Sequence, residues 1–227
     1  AKAIFSQLED GIYEDDIISP EISMTVLEPI GENIDLNFAE GILLLFNNSG
    51  STNFIIQNGT LNGKNATTIN TTVTLSDTYL QTATKLSIAR TMIHELVHAY
   101  LNSVYYGYDG FENLPFRNKM RQFAFDNGYS NMMTFQHEFM GQFVDAMAFA
   151  LYQWDKTSGT GGNLGWDYYQ AMGWGGLFQV NATTGVIENE TDTFQLLVPD
   201  PVVRQNIADI VFNETKNNTN AQGTNCN

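Results

Sequence analysis

The segment His94-Glu95-Leu96-Val97-His98 constrains this chain more than any other feature of its sequence. On an α-helix the two histidines lie one turn apart on the same face, so both imidazoles can reach one metal ion at about 2.0 to 2.1 Å. Glu95 points away from that direction, which leaves its carboxylate able to act as a general base. The pattern therefore predicts a helix that carries two ligands of a Zn2+ ion.

The sequence around the motif predicts the same helix independently. Apolar residues recur at three- and four-residue intervals from Leu86 to Leu101, the spacing of a helix with a buried face. Thr84 or Ser87 is suited to cap the N-terminal end, and Gly107 follows the segment. We expect a helix from about residue 84 to 104.

A hydrolytic zinc site usually has three protein ligands and keeps its fourth position for water. His137 is the third and last histidine of the sequence, and it is the preferred third ligand. It lies in a second amphipathic segment, for which a helix is predicted over residues 132 to 155.

Glu138 and Asp145 are the alternatives, since zinc sites also accept carboxylates. Neighbouring helical residues diverge by about 100°, so one of His137 and Glu138 should turn away from the metal. Asp145 lies about 12 Å further along the helix, where it is suited to orient His94 or His98 by a hydrogen bond. The other interpretation of Asp145 is a solvated or capping carboxylate.

Charge and hydropathy exclude two classes of partner. The chain has 10 Lys and Arg against 25 Asp and Glu, a net charge of −15, which would repel a phosphate backbone and makes nucleic acid an unsuitable partner. No run approaches the roughly 18 apolar residues of a membrane span. Eight Asn-x-Ser/Thr acceptor sites are typical of an exported surface, and a secreted or cell-surface location is expected.

Four segments together resemble the zincin metallopeptidases, specifically the SprT-like kind in a secreted or surface bacterial form. They are Ile88–Tyr100, Gln136-His137, Tyr168-Tyr169 and Trp174–Leu177. The resemblance covers about residues 70 to 180. The chain departs from the metzincin signature, since no histidine follows six residues after the motif. It also lacks the basic surface of the SprT-like proteases that act on DNA-bound proteins.

The resemblance implies a zinc-dependent peptidase that acts on a peptide or protein substrate. Its metal ligands would be His94, His98 and His137, with Glu95 as the catalytic base. The alternative is a non-catalytic surface or assembly protein that retains the fold within a larger extracellular complex. Such a structural site would have no need of Glu95 and would close its fourth coordination position with another protein ligand.

Tyr168 and Tyr169 are candidates for a second catalytic role. A tyrosine hydroxyl near the metal can stabilise the oxyanion that develops during peptide hydrolysis. Aromatic residues at this spacing also commonly fill a core, and that interpretation is retained beside the first.

The predicted fold class is α+β and zincin-like, with a small N-terminal mixed or antiparallel sheet, then the motif helix and a mainly helical C-terminal half. One domain is expected over residues 1 to 212, followed by an Asn/Thr-rich tail over 213 to 227. The edge strand of the sheet should lie along the cleft. Strands are predicted at 22–26, 34–38, 41–46, 53–57 and 69–75, and further helices at 115–126, 165–173 and 200–213.

Overall fold

The computed structural model describes residues 38–111, 114, 116–129 and 131–225. Within them the fold is α+β, a small mixed sheet with a mostly helical remainder, as the sequence predicts. The predicted strand at 22–26 and most of the one at 34–38 fall outside the described residues.

The elements of the first half lead from one helix through the sheet to a long central helix. In order they are α1 (Phe38–Asn48), β1 (Ile55–Gly59), β2 (Ala66–Ile69), β3 (Thr72–Ser76), α2 (Asp77–Thr82) and α3 (Lys85–Tyr106). The second half adds α4 (Phe116–Asp126), α5 (Met132–Met140), α6 (Val144–Ser158), α7 (Trp166–Gly173), β4 (Phe178–Val180), β5 (Ile187–Glu190), α8 (Asp192–Leu197) and α9 (Pro201–Lys216). None of the described helices is both long and apolar enough to cross a membrane.

The sheet has the strand order β1-β3-β2, with β1 parallel and β2 antiparallel to β3. Val73 and Leu75 of the central strand are fully buried. The predicted strand at 69–75 is two strands, because the chain turns at Asn70, whose φ of 55° is one that asparagine tolerates. The turn makes β2 an edge strand that lies against α3.

The prediction of a buried strand at 41–46 is wrong, because these residues belong to helix α1. A short apolar run does not distinguish a buried strand from a buried helix. Ile42, Leu43 and Phe46 are buried whereas Leu44 is 37% exposed, which is the spacing of a helical face rather than of alternating strand faces.

Helix α3 forms the centre of the molecule and confirms the helix predicted at 84–104. The Thr84 hydroxyl accepts a hydrogen bond from the Ser87 N–H at its N-terminal end, and Gly107 ends it with a φ of 69°. Every residue from Leu86 to Val104 is buried. The sheet, α6, α7 and α9 all contact this helix, so the face that carries His94 and His98 lies inside the fold.

The helix predicted at 132–155 is divided into two. Helix α5 ends at Met140, a 3₁₀ turn covers Gly141–Phe143, and α6 follows. A Cβ on Gly141 would lie 2.0 Å from the Thr193 methyl carbon, so the start of α8 packs directly on this turn. The break places His137 and Asp145 on separate helices.

Residues 213–225 are packed against the start of α3 rather than projecting from the domain. Glu214 is fully buried and accepts hydrogen bonds from the Thr84 hydroxyl and from the Gln222 and Gly223 N–H groups. The expected domain boundary at residue 212 falls inside α9. The β4–β5 hairpin and α8 were not foreseen from the sequence.

Candidate metal centre

Two helices bring the three histidines of the chain together. His94 and His98 project from α3, and His137 comes from α5. One ring nitrogen from each lies within 4.8 Å of the others, which makes the group able to hold a metal ion. His98 Nε2 and His137 Nε2 are 3.1 Å apart, close to the roughly 3.3 Å that separates two nitrogens on a tetrahedral ion at zinc–nitrogen bond lengths.

A chain of amide side chains orients His98. Its Nδ1 is 2.8 Å from Gln136 Oε1, and an amide oxygen can only accept, so the Nδ1 carries the proton. Gln136 Nε2 donates to Asn102 Oδ1 at 2.7 Å, and Asn102 donates in turn to the Asn70 carbonyl. The Nε2 lone pair of His98 is thereby directed at His137.

All three histidines are held in the neutral form that binds metals. Burial lowers the pKa of His98 to about 4 and is also the main cause that lowers the pKa of His137 to about 4. The pKa of His94 lies well below its usual value because of burial and then the charges of His98, His137 and Arg90.

The loop after α7 closes over His94. A Cβ on Gly176 would lie 2.4 Å from His94 Cε1, and Gly176 has a φ of +95°, so a side chain is excluded by both space and backbone. Nδ1 of His94 is buried and has no hydrogen-bond partner in the described part of the chain. An imidazole nitrogen in that position fits a site whose donors are completed by an ion rather than by the protein.

Glu95 is buried beside the cluster but is not one of its ligands. Its Oε2 accepts a hydrogen bond of 2.5 Å from the Thr68 hydroxyl on the edge strand β2. Burial raises the pKa of Glu95 to about 7, and the Thr68 hydrogen bond and the charges of Arg90 and Lys64 act in the opposite direction. Thr68 was missed from the sequence, where nothing distinguishes it from Thr67.

Glu138 turns away from the cluster, as expected of one member of the His137-Glu138 pair. Its two carboxylate oxygens accept hydrogen bonds from the backbone N–H groups of Asp192 and Thr193, at 2.8 and 2.7 Å. Glu138 therefore holds the N-terminal end of α8, and it is not placed as an alternative ligand.

Asp145 does not orient a histidine, contrary to the sequence-based hypothesis. Its Oδ1 accepts a hydrogen bond from Gln170 Nε2 at 2.8 Å, which joins α6 to α7. The position foreseen for Asp145 beside His98 is taken by Gln136. The helix break at Gly141–Phe143 separates Asp145 from the face that carries His137.

Tyr168 and Tyr169 are bound to buried carboxylates and not to the histidine cluster. The Tyr168 hydroxyl donates to Glu214 and the Tyr169 hydroxyl to Asp155. Glu214 also contacts Thr84, ten residues and about 15 Å of helix before His94. The Tyr168 hydroxyl therefore lies far from the position where an oxyanion would form. The Tyr169 hydroxyl binds Asp155, which also accepts hydrogen bonds from the loop that follows α6.

No protein-family model, no curated protein and no solved structure matches this chain. The resemblance to the zincin family is therefore supported by the sequence motifs alone. The structure adds the local geometry, a group of three neutral histidines beside a buried carboxylate.

Proposed function

We propose that this protein is a zinc-dependent peptidase of the zincin type, akin to the SprT-like enzymes, with His94, His98 and His137 as metal ligands. The observation that carries the proposal is the position of His137. It lies 39 residues after His98 in the sequence, yet its ring nitrogen is 3.1 Å from that of His98. A third histidine folded into this position supplies the ligand that the two-histidine motif lacks.

The residues around the cluster suit hydrolysis of a peptide bond. A zinc ion held there would lower the pKa of a water molecule towards about 7 and polarise the substrate carbonyl. Thr68 donates to Oε2 of Glu95, which leaves Oε1 to take a proton from that water. Glu95 then delivers the proton to the departing amine.

The edge strand β2 supplies a surface for an extended substrate. It pairs with β3 on one side, and its other side has no strand partner among the described residues. Because Thr68 of β2 contacts Glu95, this open edge runs beside the candidate base. A peptide that adds to the edge by backbone hydrogen bonds would place a carbonyl near the histidines.

The ligand set favours an enzyme over a non-catalytic assembly protein. Within the part of the chain that the structure describes, no fourth His, Cys, Asp or Glu joins the three histidines. A structural zinc site usually has four protein ligands, whereas a hydrolytic one has three. The acidic surface and the Asn-x-Ser/Thr acceptors support an extracellular site of action.

Metal content and peptide cleavage measured on the same preparations test the proposal. We expect about one zinc per chain in the wild type and in Glu95→Gln, with cleavage of a generic fluorogenic peptide mixture by the wild type alone. His137→Ala should lose both zinc and cleavage, while Glu188→Gln, at an exposed position, should keep both. Cleavage by Glu95→Gln at the wild-type rate would refute the assignment of the base.

A further inference from the structure

Arg90 is a buried cation with no hydrogen-bond or ion-pair partner among the described residues. It lies one turn before His94 on α3, and only 7% of it is exposed. Its Nε is sealed from solvent without a hydrogen-bond partner. The two terminal nitrogens also find no acceptor among the described residues, but they are not sealed from solvent. Burial of a guanidinium without hydrogen-bond acceptors is costly. Arg90 is attracted to the buried Glu95 carboxylate, but no hydrogen bond joins the two side chains in the described structure.

Arg204 is an example of an arginine in this chain whose guanidinium has hydrogen-bond acceptors. Its Nε contacts Glu190 at 2.6 Å, and its Nη1 donates to the carbonyl groups of Val198 and Pro199. With 25 Asp and Glu against 10 Lys and Arg, carboxylates are in excess throughout the sequence. The lack of a hydrogen-bonded carboxylate on Arg90 within the described residues is therefore a local property of the site.

The loop that covers His94 also covers Arg90. A Cβ on Gly175 would lie 2.8 Å from Arg90 Cζ, and one on the adjacent Gly176 would lie 2.4 Å from His94 Cε1. Since consecutive Cα atoms are about 3.8 Å apart, the guanidinium and the imidazole are within about 12 Å of each other. The charge of Arg90 also lowers the pKa values of His94 and Glu95.

We propose that Arg90 binds a carboxylate of the substrate, so that the peptidase selects peptides with a negative charge near the scissile bond. The proposal rests on the proposed function, because the substrate is the peptide cleaved at the histidine cluster. A guanidinium binds a carboxylate through two parallel hydrogen bonds, and at about 3.5 Å per extended residue the charge lies within about three residues of that bond. The chain as a whole, at a net charge of −15, repels such a ligand, so a local cation has to provide the attraction.

The carboxylate has two chemical sources, an acidic side chain and the C-terminal end of a peptide. Three probes separate them: acetyl-Ala-Glu-Ala-amide, acetyl-Ala-Gln-Ala-amide, and acetyl-Ala-Ala-Ala with a free carboxylate. Binding is measured by calorimetry on the metal-free protein, where no ion can bind the carboxylate. We expect the Glu probe or the free-acid probe to bind at least tenfold more tightly than the Gln probe.

Arg90→Gln should remove that preference, Arg90→Lys should retain part of it, and Arg204→Gln, which breaks an ordinary ion pair, should leave it unchanged. Arg90→Gln should also melt at the wild-type temperature or above, because it deletes an unpaired buried charge. An arginine needed only for packing would give a lower melting temperature and no change in probe binding. Equal binding of all three probes, or no binding of any, would overturn the proposal.

Kinetics on the zinc-loaded protein separate this proposal from the proposed function. For a cleaved peptide and its Glu-to-Gln counterpart, the ratio of kcat/KM should fall at least tenfold in Arg90→Gln, mainly through KM. Cleavage without any charge preference would leave the peptidase standing and overturn the role of Arg90. If the protein bound the carboxylate probes but neither held zinc nor cleaved peptides, the role of Arg90 in binding a carboxylate would stand and the peptidase proposal would be overturned.

Discussion

At the residue scale, the site depends on contacts that hold the ligands rather than on the ligands alone. Gln136 is buried between His98 and Asn102 and contacts both at 2.8 and 2.7 Å. His94, Glu95 and His98 could be predicted because their relation is local to one helix. His137 was expected as the remaining histidine, but Gln136, Thr68 and Arg90 acquire their roles from tertiary contacts that no sequence spacing reports.

Replacement of Gln136 by Ala should weaken zinc binding by about 10- to 100-fold, because His98 loses the acceptor that fixes its tautomer and ring orientation. Chelator competition on purified protein measures the affinity. The exposed Gln142, replaced by Ala, is the matched control. Unchanged zinc affinity in Gln136→Ala would show that the hydrogen-bond chain does not orient the ligand.

Gly176→Ala should reduce zinc content and stability, since the new Cβ would lie 2.4 Å from His94 Cε1. Gly63→Ala provides the comparison, because Gly63 also has a positive φ, of 72°, but nothing within 4 Å of a Cβ. Backbone strain of about 1 kcal/mol is common to both substitutions, and only Gly176→Ala should change the metal content. Equal zinc content in the two variants would contradict the close approach of the loop to His94.

At the scale of secondary-structure elements, the structure differs from the sequence-based expectation where tertiary packing determines the type or the end of an element. The apolar run at 41–46 fitted a strand and a helix equally, and burial of one helical face selects α1. The turn between α5 and α6 packs on α8, which begins about 50 residues later, and no residue pattern near Gly141 indicates that contact. The ends of α3 could be predicted from the sequence because its caps, Thr84 and Gly107, are adjacent to the helix in the chain.

Gly141→Ala should destabilise the protein by about 1 to 3 kcal/mol, because its Cβ would overlap the Thr193 methyl group at 2.0 Å. Thr193→Ser removes that methyl group and keeps the hydroxyl that donates to the Glu138 carbonyl. The cost of Gly141→Ala should therefore be smaller in the Thr193→Ser background. Urea denaturation of the four proteins measures the coupling, and additive costs would count against direct contact.

At the scale of the whole molecule, the lowered pKa values of the buried histidines make the stability of the fold depend on pH. The buried Glu214 joins the described part of the Asn/Thr-rich tail, up to residue 225, to the start of α3. The Asn/Thr-rich composition of the tail does not predict these contacts, because they depend on the hydrogen bonds of a single buried carboxylate. The spacing of apolar residues did predict the α+β class of the chain.

The metal-free protein should lose stability from His137 as the pH falls from 6.5 towards 4. The folded-state pKa of His137 is about 4 against an ordinary 6.5, so in this range the unfolded chain binds more protons than the folded one. Urea denaturation in the presence of a chelator measures the effect. The stability of the wild type relative to His137→Asn should be greater at pH 7 than at pH 5, and a constant difference would contradict a neutral buried His137.

X-ray absorption at the zinc edge of the zinc-loaded protein is the first experiment for the three-histidine centre, because it counts the ligands of the bound ion. We expect three imidazole nitrogens and one further oxygen or nitrogen at about 2.0 to 2.1 Å in the wild type, and little or no bound zinc in His137→Ala treated in the same way. A wild-type spectrum with two imidazoles or fewer, or one that His137→Ala leaves unchanged, would contradict the three-histidine centre.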